Sequence, residues 1–119
     1  MLTPLELAVL DMMVDKPGET YQTIREQLSH VIARNRKFTG VGFFTNFYLP
    51  EGAPVNCNLN DMTLGGVGAE LPNLKHGVGF LLFIREGVIQ MLEGFTYDER
   101  WPENIEHFKL FKTPDGESR

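Results

Sequence analysis

Apolar residues crowd the start of the chain. Leu5, Leu7, Ala8, Val9, Leu10, Met12, Met13 and Val14 surround most of a helical cylinder, so residues 4–15 are predicted to form a helix buried on more than one side. Thr3-Pro4-Leu5-Glu6 is its start. Thr3 caps the free amides, Pro4 suits the first helical position, and Glu6 reaches back to complete a capping box. Leu2 and Leu7 are spaced for a hydrophobic staple, and Pro17-Gly18 ends the helix. In so small a chain, a helix apolar nearly all round predicts self-association through that helix, giving a homo-oligomer. A second helix is predicted over residues 21–34, capped by Thr20. Tyr21, Ile24, Leu28, Val31 and Ile32 fall on one face, and Gln22, Arg25, Glu26, Ser29 and Ala33 lie away from it. Arg34-Asn35-Arg36-Lys37 follows as the one basic cluster.

From residue 39 the period changes to that of strands. Residues 39–49 carry apolar side chains on both faces, Val41, Phe43, Phe47 and Leu49 on one and Phe44 and Tyr48 on the other, which suits a central strand. Pro50-Glu51-Gly52 breaks it. Val55, Cys57 and Leu59 alternate with asparagines as a weak, half-buried strand. Residues 62–71 contain Gly65, Gly66 and Gly68 and read as a bulged or bent strand. The strongest local signal is a hairpin. Two apolar runs, 78–84 and 88–95, are separated by Arg85-Glu86-Gly87, a three-residue turn whose last position favours positive φ. Residues 96–104 form a loop holding Tyr97, Trp101 and Pro102. Residues 105–112 alternate Phe108 and Leu110 with charges, leaning to strand over helix. The predicted class is α+β: two N-terminal helices packed on an antiparallel sheet of four to five strands.

A chain of 119 residues with 42% apolar and 23% charged residues suits one domain, over residues 1–112, with a polar tail at 113–119. The single cysteine, Cys57, cannot pair within the chain and is expected as a buried thiol. Glu6 and Asp11 interrupt the first apolar run and no basic residue precedes it, so it does not resemble a signal peptide. No uncharged apolar stretch approaches the roughly 18 residues of a membrane helix. A cytoplasmic location is expected. The net charge of −5 argues against nucleic acid as a partner.

Candidate chemistry is sparse. His30, His76 and His107 stand apart with no second ligand at metal spacing, so no metal or other cofactor is expected. Ser29 and Ser118 sit in no nucleophile turn. Gly65-Gly66-Val67-Gly68 lacks the helix that a dinucleotide fingerprint requires after it. The best candidate segment runs from Glu93 through Tyr97, Asp98, Glu99 and Trp101 to Glu103. Residues 86–106 hold six acids against Arg100 alone, whereas residues 25–37 carry a net charge of +3. An acidic segment containing aromatics suits an interface for a basic protein, with aromatic anchors and a charged rim. The other reading of the same residues is a solvated loop whose Trp101 plugs the sheet edge. Glu93 near aromatics suits either a general base or a carboxylate held by a neighbouring Arg or amide.

Two stretches, Phe38-Thr39-Gly40-Val41-Gly42-Phe43-Phe44-Thr45-Asn46-Phe47 and Gly77-Val78-Gly79-Phe80-Leu81-Leu82-Phe83 continuing to Leu92-Glu93-Gly94-Phe95-Thr96-Tyr97-Asp98-Glu99-Arg100-Trp101-Pro102, resemble a group of small bacterial proteins. Some members of the group are similar to the immunity proteins that accompany secreted toxins. The resemblance implies protein binding and assigns no residue a chemical role. The sequence thus favours a protein-binding module using the acidic aromatic segment. The alternative is a small enzyme or ligand-binding domain with Glu93, Tyr97 and His76 around a pocket.

Overall fold

The computed structural model describes residues 2–53 and 59–113. Helices α1 (Pro4–Met13) and α2 (Glu19–Leu28) precede strands β1 (Ile32–Phe38), β2 (Gly42–Tyr48), β3 (Met62–Leu64), β4 (Val67–Glu70), β5 (Val78–Arg85), β6 (Val88–Thr96) and β7 (Lys109–Lys112). The class is α+β with an antiparallel sheet, as expected. The sheet has seven strands rather than four to five, in the order β1-β2-β6-β5-β4-β7, with β3 also on β5. The surplus has two sources: β1, whose first three residues fall in the predicted second helix and whose next residues read only as a basic cluster, and the division of residues 62–71 into β3 and β4.

The start of α1 follows its sequence. The Thr3 hydroxyl accepts from the Glu6 amide at 3.1 Å, and the Glu6 carboxylate accepts from the Thr3 amide at 2.8 Å. The helix ends at Met13, two residues before the expected end. Leu5, Val9, Leu10, Met13 and Val14 are buried in the chain's own core, and Leu7 remains 49% exposed. The second helix is shorter than predicted and starts after Gly18 (φ 114°), with no side-chain cap from Thr20. It closes when the amides of His30 and Val31 both donate to the Gln27 carbonyl. Val31 and Ile32 continue the helical spacing by coincidence. Their β-branched side chains favour extended backbone, and the chain turns there into β1. The basic cluster 34–37 therefore lies on an edge strand, where charged side chains discourage further pairing.

Strands β5 and β6 form the predicted hairpin, with one correction to its turn. Arg85 pairs with Val88, so the connection is the two residues Glu86 and Gly87, with φ of 55° and 79°. Two consecutive positive φ values define the primed turn whose twist matches a two-residue hairpin, and Gly87 meets that demand without steric cost. Gln27, fully buried, donates to the Gly87 carbonyl at 2.7 Å and accepts from the Ile89 amide at 2.9 Å, which ties α2 to this turn. Strands β3 and β4 pair successively with the same edge of β5, and Gly66 (φ 83°) supplies the bend between them. Of residues 105–112 only the last four form a strand, β7, paired with β4. The expected alternation around Cys57 lies outside the described residues.

Phe43, Phe47, Phe80, Leu82, Ile84, Ile89 and Leu92 share one hydrophobic core with Leu5, Val9, Leu10, Met13 and Ile24. Among the described residues no helix is long and apolar enough to cross a membrane.

Candidate binding surface

Strand alternation sends a second set of apolar side chains away from that core. In β2 the buried Phe43, Thr45 and Phe47 face the core, so Phe44, Asn46 and Tyr48 point the other way. The register carries this parity across the sheet. Phe44 pairs with Glu93, Glu93 with Leu81, Asn46 with Met91, and Met91 with Phe83. Phe44, Phe83, Met91 and Phe95 are half-buried, and none belongs to the core cluster or packs against it. Ile32 (49% exposed) pairs with Tyr48 (46%) and extends this outer face toward the β1 edge. At the far edge Phe111, 39% exposed, lies over Gly68. A side chain at Gly79 would strike the Phe95 ring at 2.6 Å and the Tyr97 hydroxyl at 2.9 Å, so this glycine lets both rings lie against the sheet.

The candidate segment divides between the two faces. Glu93 lies on the outer face inside β6, with Phe44 and Leu81 as its cross-strand neighbours, and its carboxylate makes no hydrogen bond or ion pair among the described residues. Tyr97 is on the same side, its ring edge-on to Phe95 at 5.7 Å. Asp98 is exposed beside the exposed His76, at 3.7 Å. Glu99 holds a loop, accepting from the amides of Lys75 at 3.0 Å and His76 at 3.3 Å. Its carbonyl also accepts from the Thr96 hydroxyl. Trp101 folds to the core side. Its ring meets Phe43 edge-on at 5.0 Å, and its amide donates to the Gly40 carbonyl at 2.8 Å. Glu103 is exposed at the mouth of a cavity of about 150 Å³ beside Trp101, which Glu93 does not line. Glu93 and Tyr97 thus share one side, while Glu99 and Trp101 have structural partners.

That cavity borders a buried ion pair that the sequence did not signal. The Arg36 guanidinium donates to both oxygens of Glu6, at 2.9 and 2.5 Å, and Thr45 donates its hydroxyl to the same carboxylate. Glu6 is only 1% exposed. Burial pushes its carboxyl up, but hydrogen bonds from Arg36, Thr45 and the Thr3 amide, with the Arg36 charge, outweigh burial and hold it below the usual 4.5. Each donor comes from a different element, so no local spacing marks the group. The outer face did leave a signal, in the apolar residues on both sides of residues 39–49.

No family model, curated protein or solved structure matches the chain.

Proposed function

We propose that this protein is a protein-binding module whose contact surface is the outer face of the sheet, with Glu93, Tyr97 and Asp98 at its acidic end. The observation that carries the proposal is the set of half-buried aromatics outside the core, with Tyr97 61% exposed. Between Phe44 and Leu81, the unpaired Glu93 carboxylate among apolar side chains suits a partner that brings both apolar area and positive charge. The basic partner expected from the acidic segment therefore meets Glu93 and Tyr97 on the sheet rather than Trp101 on the loop. The resemblance to toxin-immunity proteins points to the same class of function. Self-association through α1 is not part of this reading, because Leu5, Val9, Leu10, Met13 and Val14 are buried in the chain's own core.

The test compares capture of binding partners from cell extract by the wild-type protein and by folded variants. Tyr97→Ala is expected to weaken capture by about 1–2 kcal/mol, as loss of an interface tyrosine does. Glu93→Arg is expected to abolish the charge-dependent part of it. Capture indifferent to both substitutions and lost on Leu7→Asp contradicts the proposal.

A further inference from the structure

One cross-strand row of the outer face is complementary to itself in charge. One cross-strand row reads Lys37 on β1, Phe44 on β2, Glu93 on β6 and Leu81 on β5. Lys37 is exposed, Glu93 is half-buried, and neither makes an ion pair among the described residues. Phe44 stands midway between them, one strand from each. A rotation of 180° about an axis running along β2, in the plane of contact, exchanges the two neighbours of Phe44. It sets Lys37 over the partner's Glu93, and Glu93 over the partner's Lys37.

We propose that a second copy of this chain packs face to face on the outer face of the sheet, about that axis. The inference rests on the reading of this face as a protein-binding surface and names its partner. A two-fold contact uses one patch twice, which requires self-complementarity, and the row supplies it in charge. Stacked sheets lie about 10 Å apart, a gap that an extended lysine and a glutamate span together. Phe44 lies near the axis and supplies apolar area, as does Tyr48, whose ring carries the Arg34 guanidinium at 5.8 Å, with Ile32 beside them on the β1 edge. The alternative centre, with two copies of Glu93 opposed, would bury like charges and is disfavoured. The basic partner implied by Glu93 is then the β1 edge of the second copy.

Sedimentation equilibrium of the full chain tests this, with thermal melts to establish that each variant is folded. The wild type is expected to dimerise reversibly. Lys37→Glu and Glu93→Lys are each expected to raise the dissociation constant at least about tenfold, because each sets like charges together twice. The double variant restores the pairing with the signs exchanged and is expected to recover most of the affinity. Leu7→Asp is expected to leave the dimer intact. A dimer that survives both single charge reversals, one that the double variant fails to rescue, or one that Leu7→Asp dissolves overturns the proposal. A wild-type monomer also overturns it, but leaves the binding-surface reading standing if capture of another protein still depends on Glu93 and Tyr97.

Discussion

Glu6 shows how one side chain joins three levels of the structure. It completes the cap of α1, neutralises Arg36 on β1 and accepts from Thr45 on β2. Removing its charge takes from the partly buried Arg36 guanidinium the carboxylate that it holds through two hydrogen bonds, so Glu6→Gln is expected to cost about 2 kcal/mol or more in denaturant melts. The pH dependence follows from the sign of its shift. A carboxyl whose folded value lies below its ordinary 4.5 stabilises fully above that value. That contribution is lost as the pH falls through the lowered folded value. The stability gap between wild type and Glu6→Gln is therefore expected to be constant near neutrality and to shrink below about pH 4.5. A gap that does not change between neutral and acidic pH contradicts this role. The capping half of this arrangement is legible in Thr3-Pro4-Leu5-Glu6, because a cap is local. The ionic half is not, because Arg36 and Thr45 are brought to Glu6 by strand pairing 30 and 39 residues along the chain.

At the level of elements, the hairpin and the second helix mark the two ends of what pattern reveals. Two apolar runs around Arg85-Glu86-Gly87 specify β5 and β6, and only the turn length differs from expectation, since Arg85 joins the ladder opposite Val88. Glu86 then takes φ 55°, a conformation that non-glycine residues adopt at a cost. Glu86→Asn keeps the backbone amide that donates to Asp61 and suits the left-handed region better. It is expected to raise stability by about 0.5–1 kcal/mol, measured by thermal or denaturant unfolding. No change or a loss would mean that the Glu86 side chain contributes something the turn geometry does not show. By contrast, the helix predicted over residues 21–34 runs into the first three residues of β1. Tyr21, Ile24, Leu28, Val31 and Ile32 satisfy a helical period, and the polar run Arg34-Asn35-Arg36-Lys37 inside β1 shows no apolar alternation to oppose it. Strand β1 is held by hairpin pairing with β2 and by the ion pair of Arg36 with Glu6, of which the second joins residues 30 apart in the chain.

For the molecule as a whole, the division of apolar residues between two faces organises the account. One face joins the helices in a single core. The other gathers Phe44, Leu81, Phe83, Met91 and Phe95 around Glu93, with Tyr48 and Tyr97 exposed beside them. The sequence carried half of this, because residues 39–49 and 78–84 are apolar at successive positions, as strands covered on both faces are. It did not show that Tyr97 and Trp101, four residues apart, fall on opposite sides. That depends on Trp101 meeting Phe43 and on Tyr97 lying over Gly79. The most direct test of the outer face as a binding surface uses the methionine methyl groups as reporters. Met91 is on the outer face, whereas Met13 is buried in the core and Met12 packs against it. Methyl NMR spectra are recorded as the protein is concentrated, or as a captured partner is added. The account predicts that the Met91 signal shifts or broadens while those of Met12 and Met13 hold their positions. Movement at Met12 or Met13 with Met91 unchanged would place the contact on the first helix and contradict it.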